Sequence, residues 1–213
     1  MATDCGTRDY WKERWDNGQT KWQKPSANPL LVKHHEVLLN HKSPNPRILI
    51  PLSGKSLDIL FFADLGFDVF AVEFVEKAMK EFRSENDAWL EGSADVGKKL
   101  GDFNMFEFSL QKPSGQASRQ GKIFFLIGDI FYLANEETRK QLVSFTGSSA
   151  PEIFDAIYDR ASIVALKPET MERYVATIYK YLKPKHRILC ITAEYDQEVC
   201  ANGPQIVIII CFF

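Results

Sequence analysis

The chain has 213 residues, a formal net charge of -2, 45% hydrophobic and 25% charged residues; this suits one globular domain with a sizeable core and excludes a disordered or fibrous protein. No basic block is present, so nucleic acid is not an expected partner. Residues 1–10 lack the pattern of a signal peptide, the apolar run 206–213 is far shorter than the ~20 residues of a membrane helix, and Cys5, Cys190, Cys200, Cys211, His34, His35, His41 and His186 complete no metal pattern; a reduced cytoplasmic protein with no membrane partner is expected.

Residues 9–17 are predicted to form a short helix, started by Asp9 and ended by Asn17 and Gly18. Trp11 and Trp15 stand four apart and share a face, and Trp22 follows the turn. Two readings stand: the tryptophans pack the helix on the body, or they form an aromatic lid that receives a sulfonium or a flat ring. Asn28 and Pro29 open the next helix, where Leu30, Leu31, His34, Val37 and Leu38 keep helical spacing and His34 reads as a packing residue.

Ile48, Leu49 and Ile50 form a continuous apolar run, as in a parallel strand buried on both faces, and Pro51 stops it. Gly54 allows a tight turn and a close approach to a ligand. Leu57, Ile59, Leu60, Phe61, Ala63 and Leu65 give a helix that Gly66 terminates, and residues 69–72 give a second strand. Glu73 then falls close to the ~20-residue offset at which a nucleotide-binding unit places an acid on ribose hydroxyls. One glycine stands where a dinucleotide fingerprint has three. That argues against a cradled pyrophosphate and fits a nucleoside without phosphate, such as S-adenosylmethionine. An ordinary strand–helix–strand unit with a surface Glu accounts equally for these residues.

Val75, Ala78, Met79 and Phe82 mark a further helix, and residues 91–121 read as a glycine-rich excursion with a short strand near 105–110. Residues 122–127 form a strand with Asp129 at its carboxyl end, followed by a helix over 136–145. A strand over 153–159 carries Asp159 and Arg160 to the same rim, where a surface ion pair is the alternative reading. A helical turn spans 161–166. Pro168 opens a helix whose predicted buried face is Met171, Tyr174, Val175, Ile178 and Leu182. Residues 187–193 form the last strand, ending in Glu194, Tyr195 and Asp196. The alternation predicts an α/β fold with a doubly wound, mostly parallel sheet and helices on both faces. It is one domain over 1–213: N-terminal helices over 1–46, core over 47–204, and an uncharged β-branched tail over 205–213. A turn at Asn202, Gly203 and Pro204 would fold that tail back beside 187–193 as an edge strand.

Taken together, the motifs resemble the thiopurine S-methyltransferase family. Trp11, Trp15, Gly18, Thr20 and Trp22 resemble its N-terminal motif, and Pro51, Leu52, Ser53, Gly54 and Lys55 its Pro-Leu-Cys-Gly-Lys signature, with Ser53 for Cys. Ala63 to Gly66, Val72 with Glu73, Gly128 to Phe131, Tyr158 to Ala161 and Tyr195 with Asp196 continue the match in order. The resemblance implies a class I S-adenosylmethionine-dependent methyltransferase fold with an N-terminal lid. Trp11, Trp15, Leu52, Gly54, Glu73, Asp129, Ile130 and Arg160 would line the cofactor site, and Trp22 would stand beside the substrate. Arg160 is the candidate for steadying a thiolate acceptor or a nearby water. Past Gly203 and Pro204 the family pattern adds a helix and two strands, so the tail is expected to be atypical and to leave the substrate side less closed. The expected activity is methyl transfer to the sulfur of small aromatic or heterocyclic thiols by a monomer. The alternatives are a non-catalytic S-adenosylmethionine-binding protein and, from the strand–helix–strand unit alone, a nicotinamide-dependent oxidoreductase.

Overall fold

The computed structural model describes residues 7–39, 43–111, 119–192 and the backbone of 208–212. In chain order the helices are α1 (Arg8–Asp16), α2 (Pro29–His34), α3 (Asp58–Asp64), α4 (Glu76–Glu85), α5 (Glu136–Thr146), α6 (Ser162–Ala165) and α7 (Met171–Tyr179). The strands are β1 (Arg47–Ile50), β2 (Asp68–Glu73), β3 (Leu90–Glu91), β4 (Lys98–Leu100), β5 (Phe103–Leu110), β6 (Lys122–Ile127), β7 (Phe154–Arg160), β8 (Leu182–Ile191) and β9 (Ile208–Phe212). Short 3-10 turns cover His35–Leu38, Ile130–Ala134 and Pro168–Thr170.

The strands form one sheet in the order β3-β5-β6-β2-β1-β7-β8-β9, with β4 paired beside β5. The centre, β6-β2-β1-β7-β8, is parallel. Antiparallel pairs lie at both ends: β3, β4 and β6 on β5, and β9 on β8. Strand order reverses between β1 and β7, and the crevice outside their carboxyl ends is where open parallel sheets place ligands.

The continuous apolar runs follow from a sheet covered on both faces. Side chains alternate, so Ile48, Ile50, Val69, Ala71, Ile123 and Phe125 enter one core with Leu31, Phe62 and Phe82. Leu49, Phe70, Val72, Phe124 and Leu126 enter the other with Leu142, Tyr174 and Ile178. Each Val, Leu, Ile or Phe among them contributes about 1.5–3 kcal/mol when fully buried.

Several boundaries differ from expectation. Thr7, not Asp9, caps α1, its Oγ1 accepting from the Tyr10 N–H. The predicted helix over 30–38 tightens into 3-10 geometry after His34. The excursion over 91–121 holds the end of β3, β4 and all of β5; residues 112–118 lie outside the described residues. Helix α7 stops at Tyr179, and Leu182 opens β8 instead of ending the helix. Val175 is 48% exposed, because the buried stripe is Tyr174, Thr177 and Ile178 and position 175 falls one step round from it. The tail strand β9 pairs with β8 in the register Arg187↔Phe212 to Ile191↔Ile208, the edge position expected for it. Ala193, the 194–196 motif and the 202–204 turn lie outside the described residues. Among those described, no helix is long and apolar enough to cross a membrane.

Candidate functional site

The turn after β1 carries two left-handed residues, Leu52 at φ 43 and Gly54 at φ 56. Left-handed geometry costs an L-residue such as Leu52 about 1–2 kcal/mol, so its surroundings must hold it there. They do: the Ser53 N–H donates to the Val72 carbonyl at 3.0 Å, and the Gly54 N–H donates to Glu73 Oε2 at 2.8 Å. Ser53 is itself buried.

Glu73 ends β2 and is only 7% exposed. Its Oε1 accepts from the Val75 N–H at 2.7 Å, and its backbone carbonyl accepts from the Gly128 N–H at 2.9 Å. Burial pushes the carboxyl above its ordinary range, while the N–H groups of Val75, Gly54 and Phe74 work in the other direction. One carboxylate thus ties the turns after β1 and β2 together, with lone pairs left over for hydroxyl donors.

Asp129 follows β6. Its Oδ1 accepts from the Phe131 N–H at 2.9 Å, while its Oδ2 takes the guanidinium of Arg8, which lies 5.0 Å from the centre of the Phe74 ring. Ile130 is buried in the second core.

Arg160 ends β7, its side chain 16% exposed and its Nε 3.4 Å from Asp58 Oδ2. Asp58 is 1% exposed and serves three partners. Its Oδ1 accepts from the Asn28 N–H at 2.6 Å, and its Oδ2 accepts from the Tyr158 hydroxyl at 3.0 Å. Burial first, and then the Asp58 charge, drive the Tyr158 phenol far above its usual range, so it stays a donor. Beyond Arg160 the chain turns through Ala161 at φ 65. Asp159 holds this corner, accepting from the Ser162 N–H at 3.1 Å and from the Tyr174 hydroxyl at 2.6 Å.

The N-terminal segment crosses this rim. Trp11 Nε1 donates to the Ala165 carbonyl at 3.1 Å beyond β7, and Lys77 Nζ donates to the Trp15 and Asp16 carbonyls at 2.8 and 3.3 Å from α4. Trp15 is 3% exposed and packs with Val75 and Ala78. Trp22 meets Trp11 and Trp15 edge-on, with ring centroids 5.3 and 6.1 Å apart. Trp15 is therefore a packing residue, and the helix that carries it is fastened to segments that follow β2, β6 and β7.

Gly54 supplies the left-handed turn. A Cβ placed on it would overlap Gln23 Nε2, the end of a side chain that can shift, and would lie 3.5 Å from a Trp15 ring carbon. The sequence assigned no role to Gln23, Arg8 or Asp58. Gln23 follows Trp22 directly and Asp58 closes the signature turn, but neither carries a spacing that shows where its side chain ends. Among the described residues no cluster of His, Cys, Asp or Glu could hold a metal ion. An open groove of about 370 Å³ lined by Glu91, Lys98, Met105 and Glu107 lies at the β5 edge and includes none of the predicted site residues.

Three comparisons relate the chain to known proteins. The family model described as Thiopurine S-methyltransferase (TPMT) matches residues 6–208. A probable thiopurine S-methyltransferase of Yarrowia lipolytica is 32% identical over 197 residues, covering 92% of this chain and 77% of its own length. The thiopurine S-methyltransferase of Psychrobacter cryohalolentis is 30% identical over 196 residues, covering 92% and 78%. Among solved structures, the 1,6-didemethyltoxoflavin-N1-methyltransferase of Burkholderia thailandensis, with bound 1,6-didemethyltoxoflavin and S-adenosylhomocysteine, has a TM-score of 0.53 at 18% identity. That match covers 89% of this chain, which spans 62% of the other, and at such identity it shows the fold alone.

Proposed function

Since the chain belongs to the thiopurine S-methyltransferase family, whose members use S-adenosylmethionine, we propose that it transfers a methyl group to the sulfur of a small aromatic or heterocyclic thiol. The observation that carries the reading is the buried Glu73 carboxylate at the end of β2, bonded to the glycine turn of β1 beneath a tryptophan-bearing helix. A carboxylate so placed suits a vicinal diol, a side-chain-free turn suits close approach of a ligand, and the absence of further glycines suits a nucleoside without a pyrophosphate.

When bound, S-adenosylmethionine supplies a methyl group already activated by its sulfonium. The chain's own residues then have to hold and align. Glu73 accepts from the ribose hydroxyls, and Asp129, released by Arg8, accepts from the adenine amino group. Leu52, Gly54 and Ile130 shape the walls. Trp11 and Trp15 exclude water and offer aromatic faces to positive charge. Trp22 stands beside the acceptor. Arg160, oriented by Asp58, stabilises the thiolate. Heteroaryl thiols ionise readily, so no general base is needed, and alignment of the two reactants is worth ~7–11 kcal/mol of the barrier.

Calorimetry with S-adenosylmethionine and S-adenosylhomocysteine, followed by a panel of aryl and heteroaryl thiols, tests the reading. Thioether and S-adenosylhomocysteine should appear together in equal amounts. Cofactor binding with no turnover across the panel would refute the enzyme, and tighter binding of a nicotinamide dinucleotide would refute the cofactor.

A further inference from the structure

Gln23 presents a buried side-chain oxygen with no hydrogen-bond partner among the described residues. Buried amide oxygens are nearly always paired, and an unpaired one costs free energy that folding alone does not recover. The side chain is not in a random gap. Its amide lies against Gly54, close enough that any Cβ there would collide with Nε2. The Gly54 N–H is in turn bonded to Glu73 Oε2. The unsatisfied oxygen therefore belongs to a group that touches the turn between β1 and α3, over the strand end where the ligand is placed.

A nucleoside sulfonium amino acid brings three kinds of donor: ribose hydroxyls, the adenine amino group and the α-ammonium. Glu73 suits the hydroxyls and Asp129 the amino group at the neighbouring strand end. The ammonium remains, and a side-chain carbonyl oxygen can accept a hydrogen bond from it. We infer that Gln23 is a cofactor-binding residue whose side-chain carbonyl accepts a hydrogen bond from the α-ammonium of the methyl donor. The inference rests on the cofactor reading above. It also gives the rim a second use for its single glycine. Gly54 leaves room for a protein side chain to reach the ligand, where a dinucleotide-binding turn leaves room for phosphate.

The test uses the whole chain, with Gln23→Leu and, as a second variant with an unbranched side chain, Gln23→Met. Calorimetry is run with S-adenosylhomocysteine and with 5′-methylthioadenosine, which keeps the ribose and adenine but has no amino-acid group. The melting temperature of the ligand-free protein is the second readout. Loss of a bond to a charged donor should weaken S-adenosylhomocysteine by about ten- to a hundredfold. 5′-Methylthioadenosine should be unaffected. The ligand-free melting temperature should hold or rise, because the variants bury no unpaired oxygen. Unchanged affinity for S-adenosylhomocysteine would overturn the inference, as would equal weakening of both nucleosides. A lower melting temperature with unchanged affinity would make Gln23 a packing residue and overturn it too. If the wild-type chain binds neither nucleoside, the cofactor reading falls first and this inference with it.

Discussion

The carboxylate of Asp58 is the most exacting polar group near the rim, and its removal can be worked out in advance. Asp58→Ala strands the Asn28 N–H and the Tyr158 hydroxyl and leaves Arg160 without the counter-charge 3.4 Å from its Nε. Breaking a buried ion pair from one side costs about 3–5 kcal/mol. The Arg160 side chain keeps 16% of its exposure, so solvent offsets part of the loss and the lower end, about 3 kcal/mol, is expected. At about 2–4 °C per kcal/mol for a chain of this size, the melting temperature should fall by about 6–12 °C. Tyr158→Phe removes one hydrogen bond and should cost only about 1 kcal/mol. Urea unfolding of Asp58→Ala, Arg160→Met and the double variant supplies the decisive number. The pair should couple by at least about 1 kcal/mol, because Arg160→Met removes the charge that Asp58 compensates. Additive losses, or a cost for Asp58→Ala no larger than for Tyr158→Phe, would refute the argument that Asp58 positions Arg160.

Glu73→Gln should change how stability depends on pH. The native carboxyl is raised by burial, so the folded protein retains a proton that the unfolded chain has already lost. Stability therefore declines as pH climbs from the ordinary Glu value through the raised one, and the variant should lack that decline in melts run from about pH 4 to 8. Trp15→Ala should destabilise by about 3–5 kcal/mol and also weaken cofactor binding by about 0.5–2 kcal/mol; a stability loss below 1 kcal/mol would refute its packing role. Gly54→Ala should cost about 1–2 kcal/mol from its left-handed backbone and displace Gln23; an unchanged melting temperature would refute this. Removing residues 205–213 deletes β9 and bares the outer edge of β8, so the melting temperature should fall, and no change would refute the pairing.

The central strands were legible because a sheet buried on both faces imposes runs such as Ile48 to Ile50 that no other short element requires. Gly54 and Glu73 were legible by spacing, since one turn and one helix fix the distance between two strand ends. The edge was harder to read. Phe103–Leu110 is an eight-residue strand, yet the glycines around it weaken the alternation on which a sequence reading depends. Leu182 is misread for a related reason, because an apolar residue at helical spacing looks the same whether the helix continues or has already ended, whereas Val175 lies inside α7 one step round from the buried stripe. The partners of Asp58 and Gln23 come from segments far apart in the chain, and side-chain reach of that kind has no periodicity to detect.

The three fastenings of α1 have a kinetic consequence. Trp11 is bonded beyond β7, Lys77 reaches from α4, and Arg8 is paired to Asp129 after β6, so one short helix is moored to both halves of the sheet. If the methyl donor binds beneath it as proposed, entry and exit would each require the moorings to part. Observed association rates would then climb with ligand concentration and level off at the rate of helix release. On such a scaffold turnover would be clocked by how often a nine-residue helix lifts, and changes at Lys77 would reset the clock.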